Sequence, residues 1–500
     1  MSEQQGETAA AESSEAQEAP ATFLDRAIAA TSQTSPDTTR ELLATLTQQA
    51  LSGTVTWSKS LQKTIEEAVN LLDERMSMQL SEVLHQPEFQ KLEGSWRGLS
   101  KLVQNSELGT QLKIRMLDIT RDELIEQFED APSIDRSRLF NLVYQSEFGT
   151  AGGEPYGVLL GDYTFDHNDE NVALLRYLGT VAAASHAPFI GGVSPTLFEF
   201  SSFEAFSEGR PVASGFESPV YASWNGFRDS DDSRYVALTM PQTLARTPYG
   251  TGGRSVKAFG YEEFPKSADG KRRPSSMDDF TWSNAVYDMG LLINDAFSAF
   301  GWCTSIRGLE NGGKVSDLPN YTYTSEAGDL VQQCPTQVNL TDEREKELSD
   351  LGLLPLVHYK NGNYGVFIGA QTLQRAKVYL DKDATANAAI SARLPYIMAS
   401  SRIAHYLKVM GRDQIGSAMN PSDVEKYLST WISEYTNANA AGNEARAKTP
   451  LRESTITVEE QAGRPGCYSA IAYLRPWLQM EELTTSLRMV ANIPGGGGGG

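Results

Sequence analysis

Five acidic and imidazole side chains crowd one short stretch of this chain: Asp162, Asp166, His167, Asp169 and Glu170. Such a cluster could hold a divalent metal or trade a proton, provided that a fixed scaffold makes its members converge. Metal sites of this kind commonly carry two histidines one helical turn apart. Here His167 stands alone in a polar stretch, and it reads as solvated. His186 precedes Ala187-Pro188 between apolar segments, and His405 falls in an apolar helical pattern, so both read as hydrogen-bonded structural residues. The glycine-rich residues 149–157 could cradle a phosphate if a helix followed them. The apolar Val158-Leu159-Leu160 follows instead, and neither G-x-G-x-x-G nor G-x-x-x-x-G-K-[ST] occurs there. The run therefore reads as a turn feeding a buried strand. Cys303, Cys334 and Cys467 are widely spaced and odd in number, which argues against a disulfide framework or a cysteine zinc site. No G-x-S-x-G elbow accompanies the five histidines. No catalytic, cofactor-binding or metal residue is assigned, and no cofactor is expected.

The elements around these residues read as a layered α/β, or mixed α+β, body. Residues 58–84 place Leu61, Ile65, Ala68, Leu72, Met76, Leu80 and Val83 at helical spacing, and Pro87 opens a second helix. Its stripe is Phe89, Leu92, Trp96, Leu99 and Val103, with Trp96 read as core, and two adjacent amphipathic helices imply a helical hairpin or a helical layer over a sheet. Residues 113–119 alternate like a strand, 121–128 read as a helix, and 172–184 as another before the strand-like 188–193. Residues 281–300 read as a helix. Pro395 opens one that runs toward 411–415, with Ile397, Met398, Ile403, Leu407 and Met410 as its apolar members. Ser422 and Glu425 have capping-box spacing ahead of Val424, Leu428, Trp431, Ile432 and Tyr435. Strands alternating with helices imply sheet and helix layers.

Charge and composition bound the function. The 500 residues carry 64 acids against 43 bases, a net charge of −21, which repels nucleic acid. The basic cluster Lys271-Arg272-Arg273 reads as a solvated loop. No apolar run approaches the roughly 20 residues a membrane span needs. The start, Met-Ser-Glu-Gln-Gln, carries no secretory signal, so a cytoplasmic protein is expected. Residues 1–22 hold five glutamates and no base, and read as disordered. Behind them Phe23, Leu24, Ala27 and Ile28 share one face of a helix too short to be stable alone. A helix of that kind suits docking into a partner's groove.

At the other end, residues 455–459 alternate in polarity and are rich in β-branched types, with Thr455, Ile456, Thr457 and Val458 in sequence. Gly463-Arg464-Pro465-Gly466 supplies a turn, and 467–474 return through Tyr468, Ala470, Ile471 and Tyr473. A third candidate strand, 483–490, precedes a terminal glycine run. The polar residues 437–448 read as a linker and possible hinge. A terminal hairpin offers unpaired backbone groups to strands from neighbouring chains.

The same stretch carries a resemblance. Pro450-Leu451-Arg452-Glu453, Gly463-Arg464-Pro465-Gly466-Cys467-Tyr468, Leu474-Arg475-Pro476 and Glu481-Glu482-Leu483-Thr484-Thr485-Ser486-Leu487-Arg488 resemble the end of TssC/VipB, the large sheath protein of bacterial type VI secretion. Glu88-Phe89-Gln90-Lys91-Leu92-Glu93-Gly94-Ser95-Trp96-Arg97-Gly98-Leu99 is similar to the family too. So are the segments around Trp224, Arg228-Asp229-Ser230-Asp231-Asp232-Ser233-Arg234-Tyr235, Pro248-Tyr249-Gly250 and Gly312-Gly313-Lys314-Val315-Ser316-Asp317-Leu318-Pro319. Where the family often has a histidine after Arg-Pro, this chain has Trp477, so no histidine role transfers.

The resemblance implies a contractile-sheath subunit that pairs with a small subunit, TssB/VipA. It implies further copies of the chain in a helical polymer, an Hcp tube inside, a baseplate, and the disassembly ATPase ClpV acting on the short helix of Phe23, Leu24, Ala27 and Ile28. Its terminal strands imply β-augmentation between subunits at Thr455, Ile456, Thr457, Val458, Tyr468, Ala470, Ile471 and Tyr473. The expected organisation is an acidic N-terminal segment over 1–55, an α/β sheath body over 56–375 and a C-terminal sheath domain over 376–500. A phage-tail-like sheath is the near alternative. A hydrolase or transferase with an unrecognised site is the alternative of another class.

Overall fold

The computed structural model describes residues 61–477 apart from 209–210, 265, 267–269, 326, 415–419 and 461–467, together with 41, 44, 45 and 48. The expected helix of Phe23, Leu24, Ala27 and Ile28, the expected strand 483–490 and Cys467 all lie outside these residues. Two compact units divide the chain. One holds helix α1 (Leu61–Leu84) up to Glu82, with residues 249–251 and 255–263. Within it the helix gathers the loop through polar contacts. Ser81 Oγ donates to the Glu263 carbonyl at 2.7 Å, and the amides of Glu262 and Gly260 donate to Ser77 at 3.2 Å and Asp73 at 3.1 Å.

The other unit is built on a six-stranded sheet. In chain order its strands are β1 (Leu159–Phe165), β2 (Phe189–Val193), β3 (Val236–Met240), β4 (Lys314–Val315), β5 (Leu354–His358) and β6 (Gly365–Phe367). In space they run β1-β2-β3-β5-β6-β4, the first four parallel and the last two antiparallel. Parallel strands covered on both faces need apolar residues at successive positions. Phe189 packs into one core and Ile190 into the other, and Val236 and Ala237 divide in the same way. On the first face lies α3 (Asp169–Ser185), whose Leu174, Leu175 and Val181 are fully buried. On the second lies α4 (Val286–Phe300), through Val286, Met289 and Ile293. Each such side chain contributes roughly 1.5–3 kcal/mol when it leaves water.

Several elements end where the local chemistry dictates. Thr120 caps a helix over Arg121–Asp130 in a reciprocal box with Glu123. That helix meets the sequence expectation for 121–128. Residues 113–119, expected as a strand, make no ladder. Lys113 and Arg115 pair with Glu154 and Glu147 instead, and the Ile119 carbonyl accepts from Tyr163 at 2.8 Å. The helix expected from 281 begins at Val286, because Trp282-Ser283 pair with Thr243-Leu244 and Asn284 Oδ1 accepts the Val286 amide.

Helix α2 (Pro87–Asn105) opens on its proline as expected but presents the opposite face to the body. Its buried residues are Gly94, Gly98 and Leu102, while Trp96 is 56% exposed and Phe89, Leu92 and Val103 are exposed too. The expectation that Trp96 is core is wrong, and backbone proximity is the reason. A Cβ at Gly94 would sit 2.0 Å from the Trp282 carbonyl oxygen, and one at Gly98 2.3 Å from Ser283 Oγ and the Tyr287 ring. Only glycines allow that approach, so the larger apolar side chains are left outside.

The substitution Gly98→Val should destabilise the chain by about 1–3 kcal/mol or more, through forced displacement of Tyr287. A urea midpoint unchanged from the parent protein would contradict the close approach.

Candidate functional site

The terminal hairpin is assembled on three helices. These are α5 (Leu394–Asp413), opened by Pro395 as expected, α6 (Pro421–Ser433) and α7 (Asn443–Lys448). The start of α6 differs from the sequence expectation. Pro421 occupies its first turn, and the Asn420 amide donates to Asp423 at 3.3 Å, so the cap lies two residues before Ser422. Glu425 is thereby released for another task. Residues 437–448 are not a slack linker either: Ala440 and Ala447 are buried and 443–448 is helical.

Strand β7 (Leu451–Glu460) and strand β8 (Tyr468–Pro476) form a two-stranded antiparallel sheet with Thr455 opposite Tyr473 and Val458 opposite Ala470. Both strands run longer than the expected 455–459 and 467–474. Alternation decides the faces. Ile456, 3% exposed, and Val458 point into an apolar cluster with Trp302, Ile403, Leu428 and Ile432, joined by Ala472 and Leu474 from the other strand. Thr455, Thr457, Ile471 and Tyr473 face outward, Tyr473 being 65% exposed. Of the residues expected to exchange strands, Ile456 and Val458 hold the hairpin to its own helices by their side chains. The structure brings all eight together in one hairpin: Thr455, Ile456, Thr457, Val458, Tyr468, Ala470, Ile471 and Tyr473.

The two edges of this sheet differ. On the β7 side the Leu451 amide donates to the Tyr435 carbonyl at 3.2 Å, and the Leu451 carbonyl accepts from Asn437 at 2.9 Å. Further along, the Val458 amide donates to Glu425 Oε2 at 2.9 Å. In an antiparallel ladder a residue directs its N–H and C=O to the same side, and successive residues alternate. Val458 therefore pairs with Ala470 without ladder bonds, and so do Ile456 with Ala472 and Ser454 with Leu474. On β8 it follows that Ala470, Ala472 and Leu474 direct their backbone groups away from the hairpin. Among the described residues no strand pairs with that edge. Glu425 was the functional residue that sequence reasoning placed wrongly. The proline at 421 and the asparagine before it were the signal for the true cap.

The chemistry-bearing cluster of the sequence disperses. Asp166 accepts from the Asn168 amide and side chain, Asn171 and Thr196, and its four donors are all neutral. Asp169 accepts from Ser223, Glu170 pairs with Arg121, and the His167 ring lies 4.4 Å from that of Tyr221. Among the described residues no group of three or more such side chains converges as a metal site. His405 accepts no proton readily: burial pushes it down to about 4, although its Nε2 donates to the Ser185 carbonyl at 2.8 Å. His186 caps its helix at φ 51° beside Tyr235, its pKa lowered by burial. Both histidines are hydrogen-bonded, as the sequence suggested.

Removing the Glu425 carboxylate tests the covered edge. Glu425→Leu should cost about 1–3 kcal/mol by stranding the Val458 amide, and Glu425→Gln should cost less. Equal melting temperatures for the parent and both variants would contradict that role.

Comparison with known proteins then places the chain. Residues 66–374 match the family described as EvpB/VC_A0108, tail sheath N-terminal domain, and residues 383–493 match the EvpB/VC_A0108 tail sheath gpW/gp25-like domain. The type VI secretion system sheath protein TssC1 of Pseudomonas aeruginosa is 42% identical over 455 residues, which covers 90% of each chain. Two solved structures are distantly similar. The anti-feeding prophage baseplate is 10% identical with a TM-score of 0.38, covering 80% of this chain and 87% of that one. The contracted helical sheath of the same prophage is 12% identical with a TM-score of 0.29, covering 72% and 83%. Those two likenesses are too slight to bear weight. The family matches and the TssC1 relative are decisive: the chain belongs to the EvpB/VC_A0108 tail sheath family, as a structural subunit of the type VI secretion sheath.

Proposed function

We propose that this sheath subunit joins its neighbours by accepting a strand on the outer edge of β8, and that it works by assembly, without catalysis. The observation that carries this reading is the asymmetry of the hairpin. Its β7 edge is occupied by Glu425 and by 435–437, whereas its β8 edge has no strand beside it among the described residues. Strand addition there would form a run of backbone hydrogen bonds through Ala470, Ala472 and Leu474, and pockets between Ile471 and Tyr473 would select the incoming side chains. The eight residues expected from the sequence divide in this scheme. Ile456 and Val458 anchor, Thr455, Thr457, Ile471 and Tyr473 face the solvent side, and Tyr468 and Ala470 lie on the accepting strand.

The incoming strand would come from a small sheath subunit of the TssB/VipA kind, in a helical polymer of further copies of this chain. Around an Hcp-like tube on a baseplate, such a polymer would contract in the cytoplasm and drive the tube outward. Energy stored when the extended array assembles would suffice, with no nucleotide consumed in contraction. No described helix is long and apolar enough to cross a membrane. We assign 1–55 to an acidic segment that carries the docking helix, 56–375 to the body and 376–500 to the assembling domain. Phe23, Leu24, Ala27 and Ile28 would offer their apolar face to a ClpV-like ATPase.

Two experiments test these assignments. Ala472→Pro removes an outward amide and spares the hairpin's own ladder. Co-expressed with the small subunit, it should give folded protein but no tubules by negative-stain microscopy, and normal tubules would sink strand acceptance at β8. Ile456→Pro is the poorer probe, because Ile456 lies in the core. For the helix, a peptide of residues 15–35 carrying Leu24→Asp or Ile28→Asp should bind the ATPase at least tenfold more weakly, about 1.4 kcal/mol. Unchanged binding would remove those residues from the docking face.

A further inference from the structure

The outer edge of β8 ends at a cavity. Its outward backbone groups run through Ala470, Ala472 and Leu474, and the next outward position is Pro476, which has no N–H to give. Trp477 is held from within the chain: its amide donates to the Pro450 carbonyl at 3.1 Å, and its carbonyl accepts from Tyr396 Oη at 2.8 Å. A strand laid along β8 thus runs out of backbone donors at Pro476, and side chains must hold what lies beyond. Pro476 and Trp477 line a cavity of about 480 Å³ whose apolar walls include Leu309, Ile368 and Pro395. Two groups in its lining lack a counterpart. The Arg446 guanidinium lies over the Trp477 ring, 4.7 Å from its centroid, and its Nε donates to the Ala440 carbonyl at 3.3 Å. Among the described residues no carboxylate pairs with it, and the acid two residues before it, Glu444, is taken by Lys448 at 2.7 Å. Trp477 Nε1 is buried and has no acceptor among the described residues. A buried N–H without an acceptor is unfavourable, and a guanidinium is matched best by the paired oxygens of a carboxylate. Two bases, Arg307 and Arg446, stand in the lining against one acid, Glu310, in a chain whose net charge is −21.

We propose that this cavity is the socket for an acidic side chain carried by the strand that the small subunit adds to β8. The inference rests on the reading of β8 as the accepting edge, and it names what that edge selects. The carboxylate meets the guanidinium of Arg446 and the indole N–H of Trp477, while an apolar residue of the same segment packs against Leu309, Ile368 and Pro395. Arg452, whose guanidinium lies 5.8 Å from the same ring centroid and 3.9 Å from Glu453, adds to the positive field. Backbone pairing accepts almost any sequence, so a ladder alone cannot tell one strand from another. A charge matched at the ladder's end fixes both the partner and the register, and a strand without the acid leaves Arg446 and Trp477 unmatched.

The test uses the full-length chain co-expressed with the small subunit. Arg446→Gln removes the charge from an exposed side chain. The fraction of protein that sediments as tubules should fall about tenfold, with the melting temperature of the chain alone unchanged. Arg446→Lys keeps the charge and should keep the tubules. Its amine also reports the occupant: a water-soluble carbodiimide condenses it with a carboxylate seated beside it, the amide bond forming as the reagent takes up the elements of water. Peptide mass spectrometry should then find position 446 joined to an aspartate or glutamate of the small subunit, and the link should vanish when Ala472→Pro is added. Parent levels of tubules from Arg446→Gln would overturn the socket, as would a fall in its melting temperature alongside the loss of tubules. A link only to Glu310 or Glu444 of the same chain, a link to a second copy, a link that survives Ala472→Pro, or no link in assembled tubules would overturn it too. Should Arg446→Lys not assemble, Arg446→Gln alone decides. Tubules lost in Ala472→Pro but kept in Arg446→Gln would leave β8 as the accepting edge and remove only the socket.

Discussion

A β-hairpin leaves two rows of backbone donors and acceptors to be satisfied, and the rest of this protein's behaviour turns on how unequally it treats them. On one edge, Glu425 and the segment leading out of α6 supply partners to β7 from within the chain. On the other edge the alternating amides of β8 have no strand beside them among the described residues. Buried or semi-buried backbone groups cost free energy when left unpaired, so a hairpin closed on one edge and, among the described residues, without a strand on the other is asymmetric.

How much of this was legible in the sequence depended on whether burial follows side-chain size. The hairpin was readable because Thr455, Ile456, Thr457 and Val458 are β-branched and alternate, with a Gly-Arg-Pro-Gly turn behind them. Of the parallel sheet only the apolar 158–160 and the strand-like 188–193 were read, since strands covered on both faces are apolar throughout, and 236–240 and 354–358 went unread. Helix α2 was readable as a helix and misread as to its face. A periodic stripe of Phe89, Leu92, Trp96 and Val103 normally marks the core, but here Gly94 and Gly98 do so by permitting backbone contact with Trp282 and Ser283. Small residues carry little hydrophobic signal, and their use lies in what they allow to approach. The cap at Asn420 was missed because Ser422 and Glu425 satisfy the same spacing rule two residues later, and only the proline between them separates the choices.

The residues that looked chemical and those that hold chemical geometry are not the same. Asp166, the centre of the acidic cluster, spends its carboxylate on Asn168, Asn171 and Thr196, which ties the end of β1 to the turns that follow β1 and β2. Arg446 and Trp477 stand 31 residues apart and match no motif, so nothing in their spacing announced them. Proximity across a fold is the information that a linear reading lacks, and side-chain pairs from separate elements are where it is lost most completely.

The attachment of the hairpin decides what a neighbour's strand would pull on. Leu451, Ile456 and Val458 are seated against Leu428, Ile432 and Ile403, so the hairpin is part of a helical layer and not an arm on a tether. The segment expected to act as a hinge is closed at both ends by the Thr436–Leu451 bridge, and its Ala440 and Ala447 are buried. Bending it would expose those alanines and break the contacts of Leu451 with Tyr435 and Asn437. A closely packed element of this kind moves as one body or not at all. Force delivered through a strand beside β8 would therefore pass into α5 and α6 without being absorbed at 437–448, and on the proposed reading any change of angle between subunits would fall to the connection that the incoming strand makes with its own chain.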